Sequence, residues 1–217
     1  LLKLLNPSQD HYTGVCVSNK DNKYLVGQVT YRFSARSARL SFLTPADMLD
    51  TPATDCLLDH LAVQAGGWGA FHLLAEAEEH TPAFDALRQS GFATYAWQRI
   101  WRFSDTQTEI SGSTNWCLAN ESDNIAIRSL YLSIVPGLLQ PVEPCPEKDL
   151  EGLVYRQGGD LFAFCQLIYG LHGIWVQPFI HPAYENAFDL VIDLLKSIPN
   201  RFGRQIYLCV TSYQACL

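Results

Sequence analysis

Hydrophobic and polar positions alternate in short runs along this chain, and stretches of helical period are set between them. Residues 12–18 and 23–33 carry the two-residue period of half-buried strands, with the turn residues Asn19-Lys20-Asp21-Asn22 between them. A hairpin is predicted there. After a turn over 34–38, Arg39 to Leu43 forms a third, short strand. Pro52 to Ala65 then takes a helical period, with Leu57, Leu58, Leu61, Ala62 and Ala65 on one face and Gly66-Gly67 as the stop. Ala70 to Ala77 is an apolar run of strand length that turns acidic at Glu78 and Glu79. Thr81-Pro82 supplies a hydroxyl cap and a proline at the first helical position, Phe84 and Leu87 share one helix face, and Gly91 ends the helix. Residues 94–103 return to strand period and place Tyr95, Trp97, Trp101 and Phe103 on one side. Such a row packs as core between a sheet and a helix more readily than it binds a flat ligand.

The order then recurs. Trp116 to Ala119 is a short strand, and Ser122-Asp123 caps a helix that runs to Val135 and stops at Pro136. Leu150 to Arg156 and Leu161 to Tyr169 form a hairpin about Gln157-Gly158-Gly159-Asp160. Ile174 to Ile180 is the next strand. Tyr184 to Ile198 is a helix with Phe188, Val191, Ile192 and Leu195 inside and Asp189, Asp193 and Lys196 outside, and Arg204 to Val210 is the last strand. Residues 104–114 lack any hydrophobic period and are rich in Ser and Thr, which marks a linker. The expected division is a domain over 1–103, a linker over 104–114 and a domain over 115–217. Hairpin, third strand, helix and strand recur in both, as a repeat of pattern rather than of residues.

Composition narrows the function classes. Of 217 residues 48% are hydrophobic and 17% charged, as in a folded globular chain. The formal charge of −7 and the lack of a basic run exclude nucleic acid and anionic membrane as principal partners. No run approaches the roughly twenty apolar residues of a membrane span, and no signal peptide opens the chain. Seven cysteines form no CxxC pair, so a reduced, cytoplasmic setting with small buried thiols is expected. No His/Cys/Asp cluster has metal-ligand spacing.

Ala86-Leu87-Arg88-Gln89-Ser90-Gly91-Phe92, followed by a strand, resembles the closing part of the Gcn5-related N-acetyltransferase (GNAT) fold. The resemblance implies an α+β (mixed α/β) architecture of two GNAT-like domains, each a mostly antiparallel sheet flanked by helices. It also implies that the first copy lacks its opening strand and helices and the second its last helix and strand. The activity implied is transfer of an acetyl group from acetyl-CoA to a small-molecule or peptide amine, without a metal. The donor would lie against Ser41, Phe42 and Leu43, or against Val176 and Gln177, with His181 and Asn186 near its pyrophosphate.

A phosphate cradle needs free amides at a helix start and glycines that let the backbone approach. Gln64-Ala65-Gly66-Gly67-Trp68-Gly69 has the family's residue spacing but follows a helix, where carbonyls face outward, and reads as a helix stop with Trp68 packed beside it. The loop in the right place, Thr44 to Pro52, has two prolines, Asp47 and Asp50 and no glycine. The second loop, from His181 to Asn186, also lacks glycine. Leu87 stands at the family's tyrosine position and His80 at its asparagine position. Glu76 is the candidate base, as a carboxylate in an apolar strand, and a salt bridge to Arg99 or Arg102 is the bland alternative. His72, His80 and His181 read as structural or surface histidines. Two classes of function stay open: an N-acyltransferase, and a catalytically inactive GNAT-fold binding or regulatory module.

Overall fold

The computed structural model describes residues 9–17, 23–33, 35–103, 115–143, 145, 152–199 and 201–214. The chain divides into two compact units, Leu1–Thr94 and Tyr95–Leu217. The linker expected over 104–114 lies outside the described residues.

In the first unit, strands β1 (Gln9–Val17), β2 (Tyr24–Arg32) and β3 (Ser37–Thr44) form an antiparallel meander, and β4 (His72–Leu74) joins β3 in parallel. The sequence of β2 explains why one face of this sheet is covered. Leu25, Gly27, Val29 and Tyr31 are buried and alternate with half-buried Val26, Gln28 and Thr30. Helix α1 (Pro52–Gly67) lies on that buried face. Its approach is close: a Cβ at Gly27 would stand 2.8 Å from Leu43 and 2.9 Å from Leu61, so no larger residue fits without repacking. Leu57, Leu58, Leu61 and Ala65 are buried as the helical period requires, while Ala62 is exposed. The helix continues through Gly66 and Gly67, and the left-handed turn falls at Gly69, φ 94°. Trp68 stacks on Tyr31 with ring centroids 6.0 Å apart.

The strand expected from Ala70 to Ala77 shrinks to His72–Leu74, because Ala75 to Ala77 leave the ladder once β3 and β4 diverge. Helix α2 (Pro82–Gln89) follows. Thr81 Oγ1 accepts the Phe84 amide at 3.3 Å, and Phe92 N donates to Leu87 O at 3.0 Å around Gly91, φ 89°.

The second unit holds β5 (Gln98–Phe103), β6 (Trp116–Leu118), helix α3 (Asn124–Ile134), β7 (Gly152–Gln157), β8 (Asp160–Tyr169), β9 (Gly173–Ile180), helix α4 (Ala187–Ser197) and β10 (Gln205–Thr211). Its sheet runs β5-β10-β9-β8-β7-β6. β7, β8 and β9 are antiparallel in turn and β9 and β10 are parallel, the senses also found from β1 to β4. The repeat expected from the hydrophobic pattern is therefore present in element order and in pairing. Unlike β2, β7 is buried on both faces. Leu153 and Tyr155 face the α4 cluster, and Val154 faces α3 with Phe164 and Phe179. Asp123, buried before α3, accepts the Asn120 amide at 2.9 Å and pairs with Arg156 of β7.

The structure departs from the sequence pattern at two further places. The strand expected over 94–103, as the last of the first domain, begins only at Gln98 and pairs antiparallel with β10 in the second sheet, from Phe103↔Ile206 to Gln98↔Thr211. As an edge strand it has a sheet neighbour on one side, and Tyr95, Trp97, Trp101 and Phe103 stay 39%, 42%, 41% and 38% exposed rather than forming core. Helix α4 is also rotated by one residue from its expected face. Ala187, Leu190, Val191 and Leu194 are buried while Phe188 is exposed, since apolar residues on both stripes leave the period ambiguous and tertiary packing decides.

A Cβ at Gly91 would meet nothing within 4 Å, so any cost of a side chain there is backbone strain alone. Gly91→Val should lose about 1–2 kcal/mol in urea unfolding, whereas Gly66→Ala, inside α1 with equally open space, should gain up to about 1 kcal/mol. Equal effects at the two positions would rule out the left-handed cap.

Candidate functional site

Each unit has a cleft where its parallel pair of strands separates. β3 and β4 pair only from Ser37↔His72 to Arg39↔Leu74, so β3 continues past Arg39 without β4. β9 and β10 pair from Gly173↔Gln205 to Val176↔Leu208 and then part. Ser41, Phe42 and Leu43 lie on the free stretch of β3. Val176 is the last paired residue of β9 and Gln177 the first beyond it.

The clefts differ in which backbone groups they offer. In the first, Val29 pairs with Leu40 and Gln28 with Phe42, so Ser41 is an extra, bulged residue. The Arg36 carbonyl accepts from β4 at His72, which sets even-numbered residues toward that side up to the bulge. Beyond it the parity reverses, and Leu43 turns its amide to the open side. In the second, the β8–β9 register is continuous. Even-numbered residues face the open side throughout, and the one in the cleft is Pro178, which has no amide to offer. Its carbonyl accepts from Gln214 Nε2 at 2.8 Å, and Gln214 is buried. Gln214 thus spans the gap between the strands.

Both loops at the helix starts bond several of their own amides. In the first, Thr44-Pro45 is a cis peptide, Met48 N donates to Pro45 O at 3.2 Å, Leu49 N to Ala46 O at 3.3 Å and Thr54 N to Thr51 O at 2.9 Å. Thr51 Oγ1 donates to Met48 O at 2.7 Å instead of capping α1. In the second, Tyr184 N donates to His181 O at 2.9 Å and Ala183 N to His181 Nδ1 at 3.2 Å. His181 is therefore an acceptor at Nδ1, and a neutral ring carries its proton on Nε2. Asn186 is exposed at the start of α4 and makes no side-chain cap. The Tyr184 phenol is pushed up to about 12 by its hydrogen bond with Tyr155, 3.1 Å, and by burial, so it stays protonated at neutral pH.

A groove runs between the start of α1 and the end of α2, lined by Asp50, Thr51, Thr54, Asp55, Gln89 and Ser90 among others. Ser90 Oγ donates to Asp55. No lysine or arginine lies among the described residues that line it. Nearby, Lys23 Nζ meets Asp47 at 2.9 Å, and that hydrogen bond, with the lysine's charge, holds the Asp47 carboxyl below the usual range.

The chain resembles solved structures of acetyltransferases. A GCN5-related N-acetyltransferase from Kribbella flavida matches over 96% of this chain and 82% of its own, with TM-score 0.59 and 13% identity. Another from Sphaerobacter thermophilus matches over 92% and 71%, with TM-score 0.57 and 13% identity. An acetyltransferase of the GNAT family from Colwellia psychrerythraea matches over 97% and 78%, with TM-score 0.51 and 13% identity. The fold is that of the Gcn5-related N-acetyltransferases. No family model and no curated protein matches the sequence.

In a GNAT fold the groove beside α1 is where the notional donor's pyrophosphate would rest, and the residues present do not fit it. Asp50 and Asp55 would each repel a phosphate charge by about 3 kcal/mol at ~6 Å and an effective dielectric near 20. Pro52 removes an amide at the helix start, and the loop amides named above are already bonded. Leu87, at the family's tyrosine position, is buried. Glu76 lies outside β4, exposed, and pairs with Arg39 at 2.7 Å rather than with Arg99 or Arg102. His80 is an exposed residue at φ 63° beside Glu79, and His72 is exposed. Among the described residues no group of three or more His, Cys, Asp or Glu is placed to hold a metal ion. Gln214 and the Lys23–Asp47 pair carry no local sequence signal, since each depends on contacts between distant segments.

Lys23→Met should return Asp47 to the ordinary aspartate range, seen as a rise in the pH midpoint of its side-chain carboxyl carbon shift. The stabilisation from this pair is present above the unfolded pKa and is lost as the pH falls through the lowered folded value, so the variant's stability should depend less on acid pH.

Proposed function

We propose that this chain is a GNAT-fold binding module whose clefts do not hold coenzyme A in the manner of the family. The observation that carries this reading is the groove beside α1, where Asp50 and Asp55 occupy the wall that a pyrophosphate would face. Pro178 and Gln214 support it in the second unit, by removing one cleft amide and bridging the gap. No helix among the described residues is long and apolar enough to cross a membrane.

One observation favours a second reading, N-acylation of a small-molecule or peptide amine in the first unit. The bulge at Ser41 turns the Leu43 amide to an open cleft, the feature that Pro178 denies to the second unit. Under that reading Ser41, Phe42 and Leu43 would border the acyl donor and Glu76 would be the base. Val176, Gln177, His181 and Asn186 would border a donor only in the second unit.

Calorimetric titration with acetyl-CoA separates the two. The module reading expects a Kd weaker than about 1 mM. It also expects less than a tenfold gain from Asp50→Asn with Asp55→Asn, since Pro52 still withholds its amide. Micromolar binding that protects residues 44–52 from hydrogen exchange would overturn it in favour of the acyltransferase. Protection confined to the loop after Ile180 would overturn it for the second unit.

A further inference from the structure

The packing of β1 on α1 brings together two thiols that stand forty residues apart in sequence. Tyr12 OH lies 2.7 Å from His60 Nε2, and the two rings are 5.5 Å apart. Two residues along the same strand face, a Cβ at Gly14 would stand 2.8 Å from Leu57. Two residues further on is Cys16, and one turn before His60 on the helix is Cys56. The register of β1 on α1 therefore sets Cys16 beside Cys56, and both thiols are free. Cys16 is half-buried against the core of the unit, while Cys56 is exposed. Cys165 and Cys209 are buried in the second unit, where a solvent oxidant does not reach them.

We propose that Cys16 and Cys56 are a dithiol site that forms a reversible disulfide by exchange with a low-molecular-weight disulfide of the glutathione type. Cys56 gives its proton to solvent, and its thiolate attacks one sulfur of the small disulfide. That S–S bond breaks and one small thiol leaves, so Cys56 carries a mixed disulfide. Cys16 then gives up its proton, and its thiolate attacks the Cys56 sulfur and expels the second small thiol. The protein has lost two electrons and two protons, and the small disulfide has become two thiols. Exposure makes Cys56 the entry point. Burial, with the neighbouring Cys56 thiol adding to it, pushes the Cys16 thiol up, so the resolving step quickens as the pH rises. The product joins the edge strand β1 to α1, the helix whose start borders the acidic groove.

The test uses the full chain with glutathione disulfide, followed by peptide mapping without reduction. The expected product is a Cys16–Cys56 cross-link that dithiothreitol reverses and that raises the melting temperature. Cys16→Ser should leave a persistent glutathione adduct on Cys56, and Cys56→Ser should give neither cross-link nor adduct at Cys16. Circular dichroism confirms that each variant is folded. A persistent adduct on Cys56 in the unaltered chain would overturn the proposal. So would cross-links that form first through other cysteines, or a cross-linked chain that melts no higher than the reduced one.

Discussion

The ladder between β5 and β10 is the constraint on which the second unit depends. β10 has β9 beside it only as far as Leu208, after which the two strands part. Cys209, Val210 and Thr211 keep their backbone partners on the other side, at Ile100, Arg99 and Gln98. Without β5 that end of β10 would present polar backbone to a buried environment with no strand on either side, which costs more than the cleft could repay. A strand that precedes the unit's own meander is therefore what allows its parallel pair to open.

The same architecture gives two unequal clefts, and the difference lies in which residue turns its backbone outward. One extra residue at Ser41 shifts the parity of β3, so an amide-bearing Leu43 faces the opening. β9 keeps its register, and the position that faces outward is a proline whose carbonyl is held by Gln214. At both helix starts the loops close on themselves. His181 ties down two amides of its own turn, and Pro45 to Leu49 curl into a short 3-10 turn. The amides bonded in this way are withheld from a ligand, whereas a phosphate cradle must leave amides free.

Much of the fold was legible because it rests on local signals. The period of β2, Thr81-Pro82 before α2, the glycine after it and the Gly158-Gly159 turn each report a backbone preference that tertiary structure left intact. The aromatic row of β5 misled for the opposite reason. Its alternation is real, but the strand pairs with β10, and no sequence period says which sheet a strand will join. Phe188 and Ile192 misled because α4 is apolar on more than one stripe. For the site, the prolines and aspartates of the Thr44 to Pro52 loop could be read directly, since lost donors and added charge are properties of the residues themselves. Gln214 across the second cleft and Arg39 on Glu76 could not, because each joins segments far apart in the chain.

The β5–β10 register also sets an order of events during synthesis. Phe103 pairs with Ile206 and Gln98 with Thr211, so about a hundred residues must emerge before β5 finds its partner. The first unit can close its sheet from residues made before β5, while β5 itself waits with both edges bare. Its sequence suits that wait. Arg99 and Arg102 bracket Ile100 and Trp101, and charges so placed discourage premature pairing with a neighbouring chain. The arginines of this strand thus act as gatekeepers while the ribosome finishes the sheet that the strand will join.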